Sequence, residues 1–200
     1  SNTQTVTITI NGVNDAPVGT AGGVIGTEDD VTIADSVSAT DLENDPLTYH
    51  LLGQAPAGLT LESDGQLSYQ IQAVDHALAA GDSRQVTFEY VANDGVADSA
   101  PQTMTITIYG VDDATTLSGD VAATVGESGN PSAAPISATG QITINDIDTT
   151  GLLMVAGRQH GQYGVFAIDE NGQWSYQVNQ ELTVVQQLTA SDVVQDIFTV

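Results

Sequence analysis

The chain has 200 residues, a formal net charge of −24, no cysteine, and two Arg as its only Lys or Arg residues. This charge argues against nucleic acid and anionic lipid as partners, and the lack of cysteine excludes disulfides and thiol chemistry. Hydrophobic residues make up 40% of the chain and alternate with polar ones, which predicts a folded protein. No apolar run approaches the roughly 20 residues of a membrane helix, so we expect no direct membrane insertion.

Short alternating segments, separated by Gly, Pro, Asn and Asp, run along the chain. Thr5–Ile10 alternates polar and mostly β-branched apolar residues, as does Thr103–Ile108, and both patterns predict strands. Asp64-Gly65 and Asn171-Gly172 lie between apolar pairs and predict hairpin turns. Many short strands with regular turns predict an all-β fold of antiparallel sandwich domains.

Two segments depart from this strand pattern. Residues 73–80 and 181–188 have helical periodicity and are each long enough for one or two helical turns. The larger aromatic side chains are assigned to sandwich cores; they are Tyr69, Phe88, Trp174, Tyr176 and Phe198.

Four sequence blocks recur in the same order about 100 residues apart. The matched pairs are 5–16 with 103–114, 37–43 with 142–148, 64–70 with 171–177, and 86–88 with 196–198. This period suits a self-contained sandwich domain and is too long for a solenoid unit.

The repeat frame predicts the domain limits. Residues 16–113 form one sandwich, and residues 114–200 form a second that stops before its final strand. Residues 1–15 are either the last strand of a preceding repeat with its linker, or an extra edge strand. We expect the second sandwich to offer an open edge, and residues 1–10 of a neighbouring molecule would fill it.

Acidic residues occupy equivalent positions in the two repeats. Asp15 matches Asp113, Glu28 matches Glu127, Asp41 matches Asp146, and Glu43 matches Asp148. Since loops gather at the ends of a sandwich, we expect them to converge there. The full candidate set is Asn14, Asp15, Glu28, Asp29, Asp41, Glu43, Asp45, Asp94, Asp112, Asp113, Glu127, Asp146 and Asp148. Other acidic residues are interpreted as solvated turn residues: Asp30, Asp35, Asp64, Asp75, Asp82, Asp169 and Asp192.

Converging carboxylates need a counter-charge that this chain does not supply. Two like charges ~4 Å apart cost about 4 kcal/mol at an effective dielectric constant of 20. The chain has no Lys and only Arg84 and Arg158 to offset such repulsion. A divalent cation provides the charge, and ligation by oxygen alone suits Ca²⁺, while no Cys or His cluster favours Zn²⁺. The candidate set is therefore predicted to bind calcium.

These residues resemble a known family. The linker Gly-Val-Asn-Asp-Ala-Pro (12–17), the pair Glu28-Asp29, the loop 41–49 and Ala92-Asn93-Asp94-Gly95 are similar to cadherin-like tandem repeats of bacterial adhesins. Residues 140–176, with Asp146-Ile147-Asp148 and Trp174-Ser175-Tyr176, resemble a VCBS repeat. The fold implied is a series of immunoglobulin-like or cadherin-like antiparallel sandwiches.

The resemblance also implies a function. Such repeats belong to large RTX-type adhesins that bacteria export by type I secretion and hold at the cell surface, where they support biofilms. They extend the adhesive tip, and Ca²⁺ between neighbouring repeats stiffens the rod. The second repeat departs from the pattern, with Asp112-Asp113 in place of Asn-Asp and Thr150 at the position of Asp45. The RTX nonapeptide Gly-Gly-x-Gly-x-Asp is absent from these residues.

Two other function classes are considered. An enzyme is not expected, because the chain lacks metalloprotease, nucleophile-elbow and nucleotide-binding motifs and its three histidines are isolated. A ligand-binding module, for carbohydrate or protein, or a self-associating adhesion module remains the alternative. An exposed aromatic surface around Trp174 or Tyr163 would favour ligand binding.

Overall fold

The fold is nearly all-β and is divided into two compact units, unit 1 (Ser1–Asp112) and unit 2 (Asp113–Val200). The computed structural model describes residues 3–130, 132, 134 and 136–200. The division lies one residue from the limit drawn at 113 from the repeats.

The strands of unit 1 are short and follow the turn signals of the sequence. They are β1 (Val18–Gly19), β2 (Gly22–Thr27), β3 (Thr32–Ser36), β4 (Ala39–Thr40), β5 (Thr48–Leu52), β6 (Leu59–Leu61), β7 (Gln66–Gln70), β8 (Ser83–Asn93) and β9 (Gln102–Tyr109). One sheet has the order β2-β9-β8-β5, a second has β3-β7-β6, and β1 pairs with β4. Pairing is antiparallel except between β2 and β9, which run parallel. The predicted Asp64-Gly65 hairpin joins β6 to β7.

The core of unit 1 lies between the apolar faces of its two larger sheets. In β9 the residues Met104, Ile106 and Ile108 are buried, while the threonines between them are not, as strand alternation requires. They share one core cluster with the following buried residues: Ile33, Val37, Leu59, Leu67, Tyr69, Val86, Phe88 and Tyr90. This arrangement is a two-layer sandwich, with the aromatic residues Tyr69 and Phe88 in the core as predicted.

The strand predicted at Thr5–Ile10 does not form, and residues 3–17 contain no strand. The apolar residues of this segment, Val6, Ile8 and Ile10, are exposed. The absence of this strand is explained by the strand pairing of the β2-β9-β8-β5 sheet. β9 has the same sequence pattern and already occupies the place between β2 and β8, so this segment cannot take that place in unit 1.

The strands of unit 2 repeat part of this plan. They are β10 (Thr116–Gly119), β11 (Ser137–Asn145), β12 (Gly157–His160), β13 (Gly164–Ile168) and β14 (Gln173–Val178), followed by the short helix α1 (Thr183–Gln186). The predicted Asn171-Gly172 turn joins β13 to β14, and α1 falls within the predicted segment 181–188. The other predicted helical segment, 73–80, forms turns but no helix.

The pairing register of unit 2 matches that of unit 1. The first half of β11 pairs with β14, as β3 pairs with β7, and its second half pairs with β10, as β4 pairs with β1. The described strands of unit 2 form one sheet with the order β10-β11-β14-β13-β12, so a second sheet like that of unit 1 is not formed among the described residues. Its core holds Ile142, Phe166, Ile168 and Trp174, with Tyr176 and Phe198 packed against them.

Candidate metal centre

Glu28 is a buried carboxyl group at the end of β2. The pairing of β2 with β9 continues one step beyond the strand, since the Glu28 N–H donates to the carbonyl of Tyr109 at 3.0 Å. The side chain is 1% exposed. Its Oε1 accepts the backbone N–H of Val111 at 2.6 Å, and its Oε2 accepts that of Leu78 at 3.3 Å. Both donors are neutral, and the one salt bridge among the described residues lies elsewhere, between Arg84 and Asp75.

The loop after β4 holds a second acidic site. Asp41 Oδ1 accepts the backbone N–H of Asp45 at 3.0 Å, and Asn44 adopts a left-handed conformation with φ of 62° that tightens the loop. Asp41 Oδ2 is buried and has no hydrogen-bond partner among the described residues. A buried carboxylate oxygen without a partner is costly, so a cation suits this position.

Asn14 and Asp94 are brought together although 80 residues separate them in the chain. The Asn14 amide donates to Asp94 Oδ2 at 2.9 Å, and Asp94 Oδ1 accepts the N–H groups of Val96 and Ala97, each at 2.7 Å. The Ala97 N–H, then Asn14 and Val96, lower the pKa of Asp94. Both oxygens of Asp94 therefore already accept hydrogen bonds, one from Asn14 and the other from the loop that follows Asp94. This is a structural role that the sequence prediction did not include.

The acidic residues of unit 2 meet in the loop after β11. Asp146 Oδ2 accepts the Thr115 hydroxyl at 2.6 Å, and its Oδ1 accepts the Thr149 N–H at 2.8 Å. The Asp113 N–H donates to Asp148 Oδ2 at 3.4 Å. Interaction with the neighbouring carboxyl group of Asp148 lowers the pKa of Asp146 to about 2, and interaction with Asp146 raises the pKa of Asp148. The two carboxyl groups therefore affect each other's ionisation.

The remaining candidates are not drawn into these sites. Glu127 is half-buried and its Oε2 accepts the N–H of Gly129 at 2.5 Å, so it differs from its buried equivalent Glu28. The other candidates are exposed: Asp15, Asp29, Glu43, Asp45 and Asp112. Nowhere in the described parts of the chain do three or more His, Cys, Asp or Glu side chains converge in a group that could hold a metal ion. The predicted clusters are instead single carboxyl groups and pairs, and full coordination needs additional carbonyl, amide or water oxygens.

One interpretation of a solvated turn residue is wrong. Asp75 is fully buried, and it accepts the Tyr69 hydroxyl at 2.9 Å and the Gln72 N–H at 2.8 Å. It also forms an ion pair with Arg84. Burial, above all, raises the pKa of Tyr69. The prediction failed because Asp75 lies in a turn by sequence, whereas the cation that neutralises it comes from a strand nine residues later.

A partly buried polar network in unit 2 was also missed. Asp196 accepts the N–H groups of Gln162 at 2.7 Å and Tyr163 at 3.0 Å, and the hydroxyl of Tyr176 at 2.8 Å. Burial, and then the hydrogen bond to Asp196, raise the pKa of Tyr176. Asp196 ties the C-terminal segment to the turn between β12 and β13, so it has a structural role.

Comparison with known proteins supports the assignment of unit 1. Residues 14–110, which include Glu28, Asp41 and Asp94, match the model of one protein family. That family is the bacterial cadherin-like domain. No curated protein matches the chain. None of the helices described is long and apolar enough to cross a membrane.

Solved structures similar to this chain include several cadherins. Human protocadherin-24 EC1-2 has 16% identity and a TM-score of 0.47, over 83% of this chain and 80% of that one. The human desmocollin-1 ectodomain has 14% identity and a TM-score of 0.41, over 86% of this chain and 32% of that one. Drosophila N-cadherin EC1-4 has 12% identity and a TM-score of 0.42, over 85% of this chain and 42% of that one. The chain thus spans less than half of the latter two proteins.

Proposed function

We propose that this chain is a calcium-binding, non-catalytic extender of a bacterial cell-surface adhesin of the RTX type. Unit 1 provides a cadherin-like sandwich, and unit 2 a VCBS-like repeat. In this proposal calcium neutralises the acidic residues of each unit and restrains the linker at Asp112 and Asp113. The neighbouring repeats of the same chain are its principal partners.

The burial of Glu28 is the observation that carries the proposal. Removing a carboxylate from water is costly unless another charge or several donors compensate it. Glu28 has two backbone N–H donors and, among the described residues, no Arg or Lys partner. Asp75, equally buried in the same unit, does have Arg84. The contrast supports a cation as the missing partner of Glu28.

Asp41 and the Asp146–Asp148 pair support the same conclusion. The free Oδ2 of Asp41 offers a ligand oxygen that nothing else uses in the described structure. The pKa values of Asp146 and Asp148 shift in opposite directions because the two carboxyl groups are neighbours, and a divalent cation that binds both would offset their mutual repulsion. Each bound ion would supply positive charge to the carboxylates of its own unit. In unit 1 Asp41 would hold it, with Asn14 as a neutral oxygen donor, and in unit 2 Asp146 and Asp148 would do so.

The donor chemistry favours calcium over other metals. All candidate ligands are oxygens on loops or at strand ends, and Ca²⁺ accepts six to eight oxygens in flexible geometry. Mg²⁺ requires a more regular octahedron, and Zn²⁺ prefers nitrogen and sulfur ligands. Backbone carbonyls and waters complete a calcium shell readily, which suits sites that each provide one or two carboxylates.

Titration calorimetry with calcium tests the proposal on the whole chain. We expect calcium binding to the wild type, and weaker binding or fewer sites in Asp41→Asn. Asp64→Asn is the matched control, because Asp64 also accepts a backbone N–H in a loop, from Gln66 at 3.0 Å, and lies outside the proposed sites. Small-angle scattering should show a narrower distance distribution with calcium than with EDTA. No calcium heat, or equal loss in both variants, would refute the calcium sites.

The ligand-binding alternative gains no support at Trp174. Its indole is buried in the core of unit 2, and its Nε1 donates to the Asp120 carbonyl at 2.9 Å. Stacking on a sugar needs an exposed ring face, which this side chain lacks.

A further inference from the structure

In unit 1 the strands β2 and β9 lie side by side and run parallel. Six residue pairs join them, from Gly22 opposite Met104 to Thr27 opposite Tyr109. Every other pair of described strands is antiparallel. Apart from the two-residue strand β1, the sheets of unit 1 begin with β2 and end with β9. The chain therefore enters this pair at one end and leaves it at the other.

Tension along the chain loads this pair of strands in shear. A pull on Ala16 draws β2 toward its own first residue, and a pull on Ala114 draws β9 toward its own last residue. Because the two strands are parallel, these directions are opposite along one common axis. The evenly spaced hydrogen bonds of a parallel pair then share the load. Strands that are pulled apart from adjacent ends instead open one residue pair at a time.

Contacts beyond the strands hold the loaded end of β9. The Glu28 N–H donates to the Tyr109 carbonyl at 3.0 Å, which continues the pairing past the end of β2. The buried carboxylate of Glu28 accepts the Val111 N–H at 2.6 Å. On the other side, the Gly110 N–H donates to the Asp82 carbonyl at 3.0 Å. The backbone just past β9 is therefore fixed, and tension reaches the strand pair without first peeling β9 from its end.

We propose that the β2–β9 pair, extended by Glu28, is a mechanical clamp that sets the force at which unit 1 unfolds under tension. This inference rests on the proposed function, since an extender that holds an adhesive tip carries tension along its chain. The clamp consists mainly of backbone hydrogen bonds, so it resists force in EDTA as well as in calcium. β1 contributes little, because it forms only two residue pairs with β4.

Single-molecule pulling on the full chain between introduced cysteines tests the clamp. The chain has no cysteine of its own, so the two new thiols are the only attachment points. Ala16→Cys with Ala114→Cys gives the shear geometry, which loads β2 against β9. Ala57→Cys with Ala73→Cys gives the peel geometry, which separates the adjacent ends of the antiparallel hairpin β6-β7. All four alanines are exposed. At one pulling speed in EDTA, we expect a severalfold higher unfolding force in the shear geometry.

Two proline substitutions separate the clamp from general stability. Successive N–H groups of a strand point to opposite sides, so the Val24 N–H points toward β9, as that of Glu28 does. The Ile25 N–H points to the open edge of the sheet, as does that of Thr27, which donates to Asp30 at 2.8 Å. Val24→Pro should therefore lower the unfolding force in the shear geometry and leave it unchanged in the peel geometry. Ile25→Pro, the matched control, should change neither force.

The results that overturn the clamp differ from those that overturn the calcium proposal. Equal unfolding forces of the wild type in the two geometries overturn the clamp. So does a loss of force in Val24→Pro that is equal in both geometries, or that Ile25→Pro reproduces in the shear geometry. A higher shear force in EDTA supports the clamp even where calorimetry detects no calcium binding. Calcium binding together with equal forces supports the calcium sites and refutes the clamp.

Discussion

Replacing Glu28 with Gln tests the proposed role of the buried carboxylate in unit 1. The substitution keeps the shape of the side chain and removes its charge. Its single carbonyl oxygen can retain the 2.6 Å bond from the Val111 N–H, and its amide group then faces the Leu78 N–H. The variant should therefore fold, with the Leu78 N–H donating only to the Asp75 carbonyl at 3.2 Å and with one calcium ligand weakened.

The expected magnitudes follow from these contacts. In EDTA, loss of this hydrogen bond costs at most about 1.5 kcal/mol, the low end of the range for a charged acceptor, because the Leu78 bond is long at 3.3 Å and the same N–H also donates to the Asp75 carbonyl. Calcium at 100 times its Kd stabilises the wild type by about 2.7 kcal/mol. For a domain of this size, ~1 kcal/mol moves the Tm by ~4–8 °C. The wild type should therefore gain roughly 10–20 °C from calcium, and Glu28→Gln less than half of that.

Scanning calorimetry with calcium and with EDTA measures, for unit 1, the loss of stability caused by the substitution and the calcium-dependent rise in Tm. Trp174 is the only tryptophan and lies in unit 2, so its fluorescence follows that unit separately and should not respond to Glu28→Gln. Asp75→Asn is the matched control. It breaks an ion pair in which Asp75 is buried but the Arg84 side chain is 36% exposed, and should destabilise unit 1 by about 1.5 kcal/mol, yet keep the full calcium-dependent rise. A calcium-dependent rise of equal size in the wild type and in Glu28→Gln would refute the reasoning.

Three further outcomes are expected. Gly140→Ala should lower the Tm of unit 2 alone, because a Cβ at position 140 would lie 2.5 Å from two indole carbons of Trp174. Overpacking of this kind costs about 1–3 kcal/mol. Trp174 fluorescence measures this Tm, and an unchanged value would contradict the prediction. Asp148→Asn should weaken calcium binding in calorimetry without lowering the Tm in EDTA, because the new amide can donate to Asp146; undiminished calcium affinity would remove this pair from the proposed sites. Added NaCl should raise the Tm more in EDTA than in calcium, because salt screens the net charge of −24; equal effects in both buffers would contradict calcium neutralisation.

Much of the fold follows from local sequence patterns. The alternation at Thr103–Ile108 predicted β9, and the two Gly-containing turns predicted the hairpins before β7 and β14. The repeat also holds in three dimensions, because β11 pairs with β14 in the register of β3 with β7. Period-two alternation and Gly turns act over a few residues, so the sequence displays them directly.

The acidic sites were predicted less completely. The sequence identified Glu28, Asp41, Asp146 and Asp148 as acidic positions that recur between the two repeats, and each takes part in a polar site in the structure. Their grouping differs from the expectation, since the described carboxyl groups stand singly or in pairs. A repeat pattern shows which positions correspond, whereas the distances between loop side chains depend on how each loop closes.

Composition, strand pattern and repeat register were thus determined by the sequence alone, because each depends on neighbouring residues or on comparison of the chain with itself. Only the tertiary structure decided which carboxyl groups are buried and which strands are paired. Asp75 and Asp64 both look like turn residues, yet Asp75 is buried against Arg84. Thr5–Ile10 and Thr103–Ile108 look like the same strand, yet one is exposed and the other lies at the centre of a sheet. Burial and pairing depend on contacts between residues far apart in the chain, and a local pattern does not contain them.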